Sequence, residues 1–304
     1  MMPEELRKVR QVFTETANLP SDNNHDPSNI LYFEGRYYLW VTQHMHGKPF
    51  EHFRDCKIIR TTSADGINWD DPVDALLPSE DGWDSGGVLT ANVTLWQGKY
   101  HMFYTGVDRE YTYSHFNRYC GIAVADTPNG PFVRYEGNPV IGPSGIGWDE
   151  DSADDVTVFE HNGMFRLYYK GSNPGYTSDD TQIGLAVSDS ITGPYKRYEG
   201  NPINKGHAFA IWKYKHGFLF LSGLKDGAEG RIYGGDWNDP KGTQSLYWSE
   251  DGVRFEPCCL LANRAAGIFQ GNGQDITTCW GVTVKTKNRE FGRYVERFDF
   301  VLEP

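Results

Sequence analysis

The chain is poor in cysteine, poor in basic relative to acidic residues, and without a long apolar run. Its five cysteines (Cys56, Cys120, Cys258, Cys259, Cys279) are odd in number and form no C-x-x-C pair. That argues against a zinc site or a disulfide framework and leaves buried free thiols. Lys and Arg total 29 against 41 Asp and Glu, a formal net charge of −12. This balance speaks against a nucleic-acid partner, whose phosphates call for a basic face. No stretch is apolar for long enough to span a membrane. Met1-Met2-Pro3-Glu4-Glu5-Leu6-Arg7-Lys8 lacks the apolar centre of a signal peptide. The expectation is a cytoplasmic protein with no membrane role.

What the chain does have is aromatics and glycine, with 18 Tyr, 17 Phe, 9 Trp and 34 Gly in 304 residues. That mixture favours strands and tight turns over helices. From Asn24 to Trp40 the sequence reads as a polar opening, an apolar strand, a turn at Glu34-Gly35 and an aromatic strand running back. The plan returns at Asp154 to Tyr169, and twice with the opening acid replaced, at Asn92 to Tyr104 and His207 to Leu221. A shorter fifth unit runs from Asp275 to Val301.

Each of the first four units continues into an outer hairpin. Ser63-Ala64-Asp65-Gly66-Ile67-Asn68-Trp69 and Ser249-Glu250-Asp251-Gly252-Val253-Arg254-Phe255 carry Asp-Gly turns, a strong hairpin signal. Residues 130–139 (GPFVRYEGNP) repeat at 193–202 as GPYKRYEGNP. The glycines Gly35, Gly98, Gly163 and Gly217 recur roughly every 55–65 residues, a longer period than the ~40–50 of WD40 or kelch units. Four strands with tight turns make one propeller blade. Five such units predict an all-β, five-bladed β-propeller, one domain over residues 1–304, with residues 1–24 available to close the ring.

In a propeller the starts of the innermost strands, the ends of the second strands and the starts of the third share one face. Here that face collects Asp26, Asn92, Asp154-Asp155, His207 and Asp275, then His44 and Lys170, then Arg118 and Gln182. Clustered titratable groups on a concave face are the signature of an active site. Asp26 before Pro27 also suits a turn cap, but an acid recurs at Asp155. A pair of carboxylates with an acid catalyst is the equipment for glycosidic cleavage. The doublet leaves open which of Asp154 and Asp155 points inward.

His25-Asp26-Pro27, the hairpin Phe33 to Leu39 and the second acid at Asp155 resemble the five-bladed glycoside hydrolases of families 43, 32 and 117. In family 43 a Glu opens the fourth blade as general acid; here Lys205-Gly206-His207-Ala208-Phe209 stands there, with Ala208 near the place of that Glu. Gly206-His207 before an apolar strand is similar to family 117, the 3,6-anhydro-α-L-galactosidases, in which a His takes the acid role. Trp83 to Val93 and Phe165 to Gly171 also resemble that family's second and third blades. The resemblance covers roughly residues 24–225.

It implies Asp26 as general base, Asp155 as the carboxylate that tunes and orients, and His207 as general acid, with inversion at an α-linked anhydrogalactose or related galactan sugar. His25, His44, Trp83, Asn92, Lys170 and Gln182 are the expected sugar contacts, aromatics stacking on sugar rings and polar groups meeting hydroxyls. The expected partner is an oligosaccharide. No cofactor is required, though the oxygen-rich loop Gly271 to Asp275 with His25 can hold a divalent cation near the axis. Family members dimerise by swapping a helical N-terminal extension; this sequence shows no such stretch, so a homodimer stays open. Two alternatives are an arabinofuranosidase or xylosidase of family 43 type with Glu229 as acid, and a carbohydrate-binding propeller without catalysis. The sialidase-like Asp-Gly turns lack an arginine triad to accompany them.

Overall fold

The computed structural model describes residues 1–16, 24–45, 54–110, 117–174, 181–223, 244–261, 267–286 and 293–304, with backbone alone at 24–25, 207–208, 223, 244–245, 284–286 and 293–294. Five antiparallel sheets form a five-bladed β-propeller. From the axis outward, blade 1 is Asn24–Pro27 (extended by Leu31–Phe33), Arg36–His44, Cys56–Ser63 and Val73–Leu76. Blade 2 is Gly87–Trp96, Lys99–Val107, Tyr119–Ala125 and Val133–Arg134. Blade 3 is Ser152–His161, Met164–Ser172, Gln182–Ser188 and Lys196–Arg197. Blade 4 is His207–Tyr214, Gly217–Gly223, Gln244–Ser249 and Glu256–Leu261.

Blade 5 is Gly267–Phe269, Trp280–Thr286 and Arg293–Leu302, completed by Val9–Glu15 from the other end of the chain. Its inner strand differs from the sequence expectation. Asp275 opens no strand: its carboxylate accepts from the Thr277 amide at 2.9 Å and caps a short 3-10 turn, Ile276–Thr278. The loop before it is closed by Asn272, which accepts from the amides of Gln274 and Asp275. Its Gly273 carbonyl bonds the amide of Lys215, in the hairpin turn of blade 4. The loop therefore lies at the hairpin-turn face, away from the strand start that carries His25.

The strands are apolar on both sides because each blade is sandwiched between two others. Along blade 1, Tyr38, Trp40 and Ile58 pack into the seam with blade 2, whereas Leu39, Val41 and Ile59 pack into the seam with blade 5. The alternation of a strand here divides residues between two cores rather than between core and solvent. The hairpin turns of blades 1–3 place Glu34-Gly35, Gln97-Gly98 and Asn162-Gly163 at positive φ, the geometry whose twist suits a two-residue hairpin. Gly217 differs. The turn there is Lys215-His216, and Gly217 is needed because a Cβ would come within 2.3 Å of the Ser249 carbonyl oxygen.

The two Asp-Gly turns lock neighbouring blades. Asp65 Oδ1 accepts from the amides of Ile67 and Asn68, and Asp251 Oδ1 from those of Val253 and Arg254. Arg297 of blade 5 donates to the Asp65 carbonyl at 2.9 Å, and Arg166 of blade 3 to the Asp251 carbonyl. All five cysteines are free thiols. Among the described residues no helix is long and apolar enough to cross a membrane.

Candidate active site

The innermost strands of blades 1–4 carry a bulge near their entry. The register shifts between His25 and Pro27, between Leu89 and Asn92, between Asp154 and Thr157, and between His207 and Phe209. In blades 1–3 the bulged residues Asp26, Thr90 and Asp155 have φ of 51°, 49° and 51°. A non-glycine residue held there costs about 1–3 kcal/mol, so three at equivalent positions mark a shared device that re-aims side chains. All three line one axial cavity, together with residues from all five blades, among them Asn29, Asn92, Thr157, Phe209, Trp212 and Gln270.

The register separates the two acids of the doublet. Asp155 occupies the bulge and lines the cavity. Asp154, fully buried and opposite Lys170 on the next strand, is ion-paired with Arg118 and stands 3.5 Å from the Lys170 ammonium. Lys170 is also ion-paired with Asp155. Burial raises the Asp155 carboxyl above its ordinary value; Lys170 opposes that rise, and Asp154 and Asp26 add to it. Asp26 and Asp155 thus feel one another across the cavity.

His207 begins the inner strand of blade 4, opposite Gly223, in the register position of His25 and Asp154. The bulge position of that blade falls to Ala208. The side chains of His207, Ala208 and His25 lie outside the described residues, as does Glu229 entirely. His44 ends the second strand of blade 1 with Nδ1 3.3 Å from the Cys56 sulfur. Burial, with Asp26 and Asp55 nearby, pushes the Cys56 thiol up, which keeps it protonated and able to donate to the ring. Gln182, half-buried, starts the third strand of blade 3 opposite Gly171.

Two expected sugar contacts serve the framework. Asn92, although it lines the cavity, accepts from the Val158 amide at 3.4 Å and ties blade 2 to blade 3. Trp83 is not among the cavity-lining residues. It stacks on Tyr104 at 5.6 Å between centroids, over Gly106 and Gly121, where any Cβ would come within 2.3 and 2.6 Å of the indole. Trp148 repeats this on blade 3, stacked on Tyr169 over Gly171 and Gly184. The neighbouring Asp84 accepts from Tyr104 and Arg134, and Asp149 from Tyr169 and Arg197. The arginines are those of the repeated segment 130–139/193–202, so the repeat encodes a clamp of a half-buried arginine on a buried carboxylate.

Lys170, expected as a sugar contact, is 3% exposed and engages two carboxylates. Thr90 and Asn29 carry no sequence expectation, and Thr105 is expected only as a second-strand end on the shared face, with no role in the site. Thr90 shares the bulge position with Asp26 and Asp155, and only a strand start at Gly87 rather than Asn92 brings the three into line. Asn29 bonds both the amide and the carbonyl of Val93 at 2.8 Å, joining blades 1 and 2 at the axis.

The sequence matches the family "Glycosyl hydrolases family 32 N-terminal domain" over residues 19–191, more than half of the 304-residue chain. No curated protein matches it. Among solved structures, the chain is similar to a family 117 glycoside hydrolase of the marine bacterium Zobellia galactanivorans, at 24% identity and a TM-score of 0.79, over 98% of this chain and 92% of that one. It is similar to a family 43 β-xylosidase/α-arabinofuranosidase from a compost metagenome, at 15% identity and a TM-score of 0.61, over 96% and 94% of the two chains. It is also similar to the Bombyx mori family 32 β-fructofuranosidase, at 15% identity and a TM-score of 0.62, over 95% and 62%. These likenesses establish a common fold. The molecule is a five-bladed β-propeller glycoside hydrolase. It belongs to the glycosyl hydrolase family 32 N-terminal domain family.

Proposed function

We propose that the protein is an inverting, exo-acting glycosidase in which Asp26 is the general base, Asp155 orients and tunes, and His207 is the general acid. The observation that carries this reading is the occurrence of Asp26 and Asp155 at the same strained bulge of two blades, both lining one axial cavity. Asp26 takes a proton from the attacking water as the water's oxygen bonds the anomeric carbon. His207 gives its proton to the departing glycosidic oxygen, whose bond to that carbon breaks. An imidazole suits this step because its ordinary pKa lies near 6.5 and a carboxylate close by favours the protonated form.

The proposed substrate is an α-linked 3,6-anhydrogalactose or a related galactan sugar. Gly206-His207, with Ala208 at the bulge where another acid would otherwise project, supports it, as does the fold shared with a family 117 enzyme. Asp26→Ala and His207→Ala are expected each to abolish turnover of neoagaro-oligosaccharides while circular dichroism and Tm stay near wild type. Full activity in both variants overturns the assignment.

A further inference from the structure

The bulge at Asp155 frees its amide from the strand ladder, because the register jumps from Asp154 to Thr157. That amide donates to Thr105 Oγ1 of blade 2 at 3.3 Å. Thr105 is 1% exposed, and its hydroxyl also lies 2.6 Å from that of Thr90, the bulged residue of its own blade. One blade earlier the arrangement repeats, since the amide of Thr90 donates to Thr42 Oγ1 at 2.9 Å. Thr42 stands opposite His25, Thr105 opposite Leu89 and Lys170 opposite Asp154, so the three occupy one register position. A hydroxyl there pins the bulge of the following blade. In blade 3 the hydroxyl is replaced by Lys170, whose ammonium turns back to Asp155 and Asp154.

We infer that Thr105 is a positioning residue for the reaction, holding the strained Asp155 backbone from blade 2 so that its carboxylate meets Lys170 and faces Asp26. The inference rests on the proposed reading of Asp155 as part of the reacting set. Each anchor of Asp155 comes from a different blade. Without the Thr105 hydroxyl the half-buried amide loses that partner, and the backbone can relax towards an ordinary ladder. The carboxylate then withdraws from Lys170 while staying near Asp154 and Asp26, with Arg118 behind Asp154 and the inner strand of blade 4 packed against that of blade 3. Losing the Lys170 cation, it holds its proton to higher pH.

The experiment compares kcat, KM and the pH profile of kcat/KM for wild type, Thr105→Val, Thr105→Ser, Thr42→Val and Asp155→Asn, with Tm for each. Thr105→Val is expected to lower kcat about 100-fold, the scale of a small misplacement in a reacting set, with KM little changed and the acidic limb displaced to higher pH. Thr105→Ser restores both. Thr42→Val removes the same kind of bond beneath a bulge that carries no carboxylate, and is expected to lower Tm comparably while leaving the limb in place. If the valine variant does not fold, Thr105→Cys, which keeps the size and weakens the acceptor, is expected to move the limb in the same direction. A wild-type limb and kcat in the folded Thr105 variants, with Asp155→Asn inactive, overturns the inference. An active Asp155→Asn overturns the reading beneath it.

Discussion

Lys170 is ion-paired with Asp155 across the wall of the axial cavity, while its ladder partner Asp154 stands 3.5 Å away from the same ammonium. One buried cation therefore serves two adjacent carboxylates, and Arg118 supplies the second cation from the neighbouring blade. Removing one partner of a buried pair leaves the other charge uncompensated, at a cost of roughly 3–5 kcal/mol. Lys170→Met is expected to lose stability on that scale. It is also expected to move the acidic limb of the activity profile to higher pH, since Lys170 is the group opposing the rise of the Asp155 carboxyl. Urea denaturation and a pH–rate series check both; an unchanged limb in a folded variant contradicts the role given to Lys170.

Asp155 also gives the fold a pH dependence of known sign. Its folded carboxyl is raised above the unfolded value, chiefly by burial. The unfolded chain therefore releases that proton first, and Asp155 favours folding below about pH 4. That contribution is lost as pH rises from there through the raised folded value. Asp155→Asn cannot ionise, so its stability relative to wild type is expected to improve as pH rises from about 4 and to level off above the raised folded value. Paired thermal melts over that range test this, and a constant difference would count against a raised Asp155.

Trp83 separates a framework role from a sugar-binding one. Its indole fills the space over Gly106 and Gly121 and stacks on Tyr104. Truncating a large core aromatic costs about 3–5 kcal/mol, so Trp83→Ala is expected to fall in stability near the lower figure, with KM within a few-fold of wild type. A large rise in KM at unchanged stability would return Trp83 to the substrate.

The blade count was legible in the sequence because the inner hairpins of blades 1–3 announce themselves through turns such as Glu34-Gly35 or Asn162-Gly163, whose backbone glycine adopts easily, and Gly217 marks the same place in blade 4. Blade 5 was misread at its inner strand. Gly267–Phe269 has only three residues, too few for any period, while Asp275 to Trp280 carries the apolar spacing of a strand but is turned by its own cap. Asp26 and Asp155 stood out as recurring acids. The choice between Asp154 and Asp155 did not, because a bulge breaks the alternation from which facing is read. Thr90 was silent for the same reason. Trp83 reads as a sugar platform because it is an aromatic beside acids, and its packing over Gly106 and Gly121 is visible only in the fold.

Inversion requires Asp26 to activate water from the side opposite the departing oxygen, and the configuration of the first product formed tests this most directly. Following the anomeric proton by NMR during early turnover of a neoagaro-oligosaccharide, the β-anomer should appear first from the α-linkage and only then equilibrate, with no signal from Asp26→Ala. Initial release of the α-anomer, or turnover by Asp26→Ala at the wild-type rate, would contradict it.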